Sequence, residues 1–216
     1  MIQKLLRTIT ESFHLSAAEV GEFRKMKING MMFHIWAFEA EGLGHVSAMS
    51  ASGFFGLMKM DTLIINPTEV DMPLLSYDRV HAMGNDTLIY ELYDTITGEA
   101  DLKAVSDVKA AHICLPDHDL GKHWYDPIKL AESISKKGRK KQTAAFDALT
   151  QDYMEAFLSC CKKAAPCSPS AKREKASVYV EGLLSNGGPS TDVFLKAMGQ
   201  EQTARLFRLV LFGTKI

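Results

Sequence analysis

Three features of the sequence predict an α+β fold, an α/β/α sandwich with a central, mainly antiparallel sheet flanked by helices. Five short strand-like runs lie between Asn29 and Asp94 with only turn residues between them. Helical spacing of apolar residues precedes those runs and returns after them. No connection within the run of strands is long enough for a crossover helix, so neighbouring strands must pair antiparallel. The 216 residues fit one domain, 1–216, and can bury a core without disulfide or metal staples.

The elements follow in order. Leu5, Leu6, Ile9, Phe13, Val20, Phe23 and Met26 recur at helical spacing, so residues 1–27 are expected to be helical with a break near Leu15 and Ser16. Ser16 with Glu19 predicts a capping box for a second short helix. Asn29-Gly30 is a turn signal. The sheet is expected over residues 30–95, as strands at Met31 to Ala40, His45 to Ala51, Leu57 to Asn66, Leu74 to Met83 and Thr87 to Asp94. Gly42 to Gly44, Pro67, Pro73 and Gly84 to Asp86 punctuate them.

Residues 100–216 revert to helix. Ala100 to Ala111 is expected helical and His112 to Asp126 a loop, with Pro127 opening a helix toward Lys136. Gln142 to Lys163 reads as a long amphipathic helix with Phe146, Leu149, Tyr153, Phe157 and Leu158 on one side. Pro166, Ser168, Pro169 and Ser170 predict a mobile linker over about 164–175. Two helices close the chain, Ser190 to Met198 and Gln200 to Leu211, parted by Gly199.

Composition excludes several classes. Hydrophobic residues are 46% and charged residues 24%, which is too apolar for disorder. No stretch approaches the apolar length of a membrane helix, and the start of the chain lacks a signal-peptide pattern. The four cysteines fit neither a zinc knuckle nor a disulfide framework, so the reading is a cytoplasmic protein with reduced thiols. His112, Cys114, His118 and His123 lie close together, but at no ligand spacing, and no metal is expected. The net charge of −1 conceals an uneven distribution. Residues 136–175 carry +6 and the rest of the chain −7. Lys136, Lys137, Arg139, Lys140 and Lys141 head that basic segment, a candidate docking site for an acidic partner. No aromatics are interleaved with them, so nucleic acid is not expected.

Two stretches carry a more specific signal. Asp71-Met72-Pro73-Leu74-Leu75-Ser76-Tyr77-Asp78 follows a strand that ends in Pro67, and the tail pairs Ala197-Met198-Gly199 with Leu211-Phe212-Gly213. Together they resemble the ferredoxin-dependent bilin reductases, the superfamily that includes red chlorophyll catabolite reductase. The family motif reads Asp-x-Pro-(Ile/Leu)-Phe-Gly-x-Asp, with Leu75-Ser76 here in place of Phe-Gly. The resemblance spans about residues 55 to 213.

It implies an α/β/α sandwich holding an open-chain tetrapyrrole between the sheet and the C-terminal helices. It also implies no organic cofactor, electrons from ferredoxin or flavodoxin, and Asp78 as central proton donor. A carboxyl facing an apolar ligand has its pKa raised by desolvation, which suits that role. The family's other acid–base positions differ here. Thr62 stands where one branch has histidine, Ser50 falls near a glutamate position, and Asn186 is what remains of the tail Asn-Asp pair. These three, with His45 as a possible substitute on strand parity, complete the candidate substrate-binding set. The missing groups leave a second reading open, a tetrapyrrole-binding protein without reductase activity. A third is an interaction domain built on the basic 136–175 segment.

Overall fold

A computed structural model describes residues 1–215. Helix α1 (Ile2–Thr10) leads into strands β1 (Leu15–Ala17) and β2 (Lys25–Ile28), with a single 3-10 turn at Gly21–Arg24 between them. The long meander follows: β3 (Met31–Ala40), β4 (Gly44–Gly53), β5 (Met58–Pro67), β6 (Leu74–Ala82) and β7 (Asn85–Tyr93). Helix α2 (Lys103–Ala111), a long loop and strand β8 (Ile134–Arg139) come next. The chain then closes with α3 (Thr143–Lys163), α4 (Pro169–Asn186), α5 (Pro189–Arg205) and a wide final turn, Leu206–Leu211.

All strand pairs are antiparallel, in the order β1-β3-β4-β5-β6-β7-β8, with β2 pairing β3 beyond β1. Strand alternation divides the side chains between two cores. Leu63, Ile65, Leu75, Tyr77, Leu88 and Tyr90 face one side, where α1, α2 and α3 cover them. Phe33, Ile35, Met49, Ile64 and Tyr93 face the other, beneath α4, α5 and the final turn. The predicted sandwich is the observed one.

Three local expectations are corrected. Residues after Ser16 form β1, a 3-10 turn and β2 rather than a helix, since the free edge of β3 accepts them as strands. Pro127 opens only a 3-10 turn at Asp126–Ile128, and Ile134–Arg139 joins the sheet beside β7. The expected linker at about 164–175 is largely ordered helix. Ser168 caps α4 through its hydroxyl and Pro169 occupies its first turn, where the missing N–H costs nothing. Lys172 is fully buried there, its Nζ donating to the Thr95 carbonyl at 2.8 Å and lying 3.5 Å from Asp71. Gly199 (φ 78°), by contrast, parts α5 into two helical segments as expected.

On the α3 side of the sheet, an ion pair is fully enclosed. Arg79 of β6 donates to Asp86 of β7 through Nε at 2.5 Å and Nη2 at 2.7 Å, and Nη1 reaches Thr150 of α3 at 3.1 Å. Phe146 lies against the guanidinium, 5.1 Å from its carbon. This pair joins two strands and a helix directly behind the candidate site.

Candidate functional site

Between the sheet and the C-terminal helices lies a cavity of about 270 Å³. Its floor is laid by alternate residues of three adjacent strands: Met60, Thr62 and Ile64 of β5, Ser76, Asp78 and Val80 of β6, Ile89, Glu91 and Tyr93 of β7. Tyr179 and Leu183 of α4, Phe194 of α5, and Phe207, Leu211 and Phe212 form its roof. Leu120, His123 and Tyr125 from the loop before β8 close one side. A mostly apolar, aromatic cavity with a few convergent polar groups is the usual form of a small-molecule site.

Asp78 sits in the middle of this floor. Thr62 is its direct cross-strand partner, and the Thr62 hydroxyl donates to Asp78 Oδ1 at 2.5 Å. Burial pushes the Asp78 carboxyl up to about 6; the Thr62 bond opposes that shift and the neighbouring Glu91 charge adds to it. Near neutrality a useful fraction of Asp78 is therefore protonated beside an apolar cavity, which is the state of a general acid.

Glu91 was not singled out from the sequence. It lies across from Ser76, diagonal to Asp78 on the same face. Tyr93 donates to its Oε2 at 2.6 Å, Lys129 lies 3.6 Å from its Oε1, and that oxygen is buried without a hydrogen-bond partner among the described residues. The available signal was parity. In Leu88-Ile89-Tyr90-Glu91-Leu92-Tyr93, Glu91 is the lone acid of an otherwise apolar run and shares the phase of Ile89. His123, considered only as a metal ligand, also lines the cavity. Its ring stacks on Tyr125 at 4.8 Å and its Nδ1 is buried without a hydrogen-bond partner among the described residues.

The surrounding tyrosines stay protonated. Tyr93 stacks on Tyr179 with ring centroids 4.1 Å apart, and burial drives both hydroxyls, and that of Tyr125, well above their ordinary range. Trp124 holds the His123–Tyr125 loop in place. Its Nε1 donates to the Gly187 carbonyl at 3.0 Å, and its ring lies flush on Gly182 of α4, where a Cβ would approach within 2.2 Å. The first turn of α5 brings Ser190 and Thr191 to the cavity wall. Free N–H groups at a helix start favour an anionic group, such as a ligand carboxylate.

Of the residues expected from sequence, Asp78 and Thr62 meet in the cavity. Ser50 does not join them. Its side chain is on the opposite face, donating to Asp61 at 2.5 Å, because residues 50 and 49 alternate and Met49 takes the cavity side. His45 lies on the correct face but under the final turn, its Nε2 2.8 Å from the Val210 carbonyl and its Nδ1 2.8 Å from Glu39. Ser47 and Asn66 donate to the next two carbonyls, of Leu211 and Phe212, both at 2.7 Å. These three side chains satisfy the carbonyls left open at a helix end; His45 thus fastens the roof and does not line the cavity. Asn186 ends α4 exposed to solvent, with Gly188 and Ser190 taking the wall positions.

The basic segment is also redistributed. Lys136 is buried and its Nζ reaches the Leu115 carbonyl at 3.0 Å and Asp117 at 2.7 Å, so it is not free to dock a partner. Lys137, Arg139, Lys140 and Lys141 are exposed. Among the described residues no cluster of three or more metal-ligating side chains occurs.

No protein-family model and no curated protein sequence matches this chain. Among solved structures it is similar to phytochromobilin synthase from tomato, crystallised in complex with biliverdin. The TM-score is 0.81 at 12% sequence identity, over 99% of this chain and 82% of that one. At that identity the likeness concerns backbone architecture. Over nearly its whole length, this chain has the fold of a protein that binds a linear tetrapyrrole.

Proposed function

We propose that this protein reduces an open-chain, bilin-like tetrapyrrole, taking electrons from ferredoxin or flavodoxin and delivering protons through Asp78. The observation that carries the reading is Asp78 itself, a carboxyl with pKa raised to about 6 on the floor of an aromatic cavity. Two further facts support it: the fold is shared with a biliverdin-bound protein, and the motif ending in Asp78 resembles that of the bilin reductases.

Reducing one double bond consumes two electrons and two protons. Each electron entering the pigment raises its basicity, and a protonated Asp78 against the ring system can then transfer its proton. Thr62 holds one carboxyl oxygen by its hydroxyl, leaving the other free to face the pigment. Glu91 is suited to supply or relay the second proton. Pigment carboxylates would meet the α5 N-terminus at Ser190 and Thr191. The exposed Lys137 and Arg139 share the cavity face of β8, one strand beyond Ile89, and would attract an acidic electron carrier near the site.

The alternative, a tetrapyrrole-binding protein without reductase activity, is favoured by one observation. Thr62, Ser50 and a glycine (Gly187 or Gly188) occupy positions where the resembling family carries further acid–base groups. A visible-absorbance titration with biliverdin, followed anaerobically by reduced ferredoxin, separates the two. A saturable band that bleaches or moves on reduction supports the reductase, and Asp78→Asn should then keep the band but slow turnover at least about a hundredfold. A band unchanged by ferredoxin supports the binder. Wild-type turnover by Asp78→Asn would remove Asp78 from the mechanism.

A further inference from the structure

The register of the sheet collects its hairpin tips into one end of the molecule. Ile28 pairs Met31, Gly53 pairs Met58, Met58 pairs Ala82, Ala82 pairs Asn85, and Asn85 pairs Arg139. Two of the turns that project beyond this row, β4–β5 and β6–β7, carry apolar side chains where turns are ordinarily polar. Phe54 is 57% exposed, Phe55 fully exposed, Leu57 69% and Met83 86%. Phe54, Phe55 and Met83 all have positive φ (52°, 56° and 49°), a conformation that bulky residues seldom adopt. The turns therefore hold these side chains out in solvent rather than folding them onto the sheet.

Cations stand immediately behind. Lys27, Lys59, Lys137, Arg139, Lys140 and Lys141 are all exposed, and the backbone N–H of Lys140 donates to the Gly84 carbonyl beside Met83. The acids of the same region are already occupied. Asp86 is buried against Arg79, and Asp61 pairs with the N-terminal ammonium at 3.2 Å. Across 25–31, 50–61, 80–87 and 134–141 there is no other acidic residue. This end is thus apolar at its tip, cationic behind the tip, and free of exposed, unpaired anions.

We propose that this end of the sheet docks on an anionic lipid surface, with Phe54, Phe55, Leu57 and Met83 entering the interface and the lysines and Arg139 meeting headgroup phosphates. Depth ordering argues for a bilayer over a soluble protein. Lys59 lies two residues behind Leu57, about 7 Å along an extended strand. That matches the roughly 5–10 Å to which interfacial apolar groups sink below the headgroups. Clustered Lys and Arg confer attraction to anionic leaflets that salt weakens. No helix among the described residues is long and apolar enough to cross a membrane, and this contact requires none.

The reading shares Lys137 and Arg139 with the proposed electron-carrier contact, but it rests on the apolar tips and can be tested without pigment or carrier. The full chain is sedimented with phosphatidylcholine vesicles containing one-third phosphatidylserine, and with phosphatidylcholine alone. We expect partition to the anionic vesicles that falls with added salt. It should weaken at least about tenfold in Phe54→Ser/Phe55→Ser, because two aromatic side chains no longer enter the interface. Lys140→Glu/Lys141→Glu should lose the preference for anionic lipid. In a separate variant, Phe55→Trp, the indole emission should shift to the blue on vesicle addition. All these positions are exposed, so circular dichroism and melting should match wild type. Failure to bind anionic vesicles overturns the proposal, as does binding undiminished by the double serine variant. A soluble acidic protein that protects Phe55 while vesicles do not would also overturn it and assign this end to that partner.

Discussion

If Asp78 is held near a pKa of about 6 by burial, the folded protein is less stable for carrying it ionised. Asp78→Asn removes that charge while keeping an oxygen for the Thr62 hydroxyl. Moving a carboxyl from its ordinary 3.8 to about 6 corresponds to about 3 kcal/mol, at about 1.4 kcal/mol per tenfold change in proton affinity. Asp78 is partly exposed to the cavity, and water there screens the charge, so about 1–2 kcal/mol is the expected effect. The sign follows from proton counting. Between about pH 4 and 6 the folded chain keeps a proton that the unfolded chain has released, so stability contributed by this group falls as pH rises through that window and is level above it. Asp78→Asn should therefore be more stable than wild type at pH 7 by about 1–2 kcal/mol, about 2–8 °C in Tm for a chain of this size. The gain should shrink to a few tenths of a kcal/mol near pH 4, where Asp78 stays protonated in the folded chain and is about half protonated in the unfolded one. Urea denaturation of both proteins at pH 4 and pH 7 measures the difference, and other titrating groups cancel in the comparison. A variant no more stable than wild type at pH 7, or equally stabilised at both pH values, would refute the assignment of Asp78 as a buried, protonatable group.

Two other perturbations test the frame around the site. Asp86→Ala should lower stability by about 3 kcal/mol, because it leaves the enclosed Arg79 guanidinium only the half-exposed Asp147, 3.2 Å away, as counter-charge; replacing Arg79 by Met in the same variant should recover much of the loss, and a cost below about 1 kcal/mol in chemical denaturation would contradict the geometry. Gly182→Val places side-chain carbon where the Trp124 ring now lies. It should free the loop carrying His123 and Tyr125, seen as a red shift in tryptophan emission and new protease cleavage within residues 112–126, and an unchanged emission and cleavage pattern would show that Trp124 does not anchor the loop.

The sequence announces this fold most clearly where a strand has two different faces. From Met31 to Tyr93 each strand alternates side chains between two apolar cores, and the turns fall at Gly and Pro. Strand β8 escaped notice because Ile-Ser-Lys-Lys-Gly-Arg offers only one apolar residue; the second inward position is Lys136, whose stem is buried while its ammonium finds Leu115 and Asp117. Helix α4 was hidden for a similar reason. Pro169-Ser-Ala-Lys-Arg-Glu-Lys looks like a solvated linker, yet Lys172 points inward to carbonyls supplied by residues far away in sequence. Asp78 was found through its motif, and Thr62 through alignment to it. Glu91 and His123 required knowing which strand lies beside β6 and which loop folds over it, and local sequence does not carry that information.

Asp78 and Arg79 are consecutive, and β6 sends one into the cavity and the other into the ion pair on the opposite side. A slip of one residue between β6 and its neighbours would exchange them. Arg79 would then enter the aromatic cavity, and an ionisable Asp78 would face Phe146 and Thr150 with no counter-charge. Both halves of that error are costly, so the buried pair disfavours a one-residue slip of β6. The charge on one face of β6 thus helps to set which residue reaches the cavity on the other.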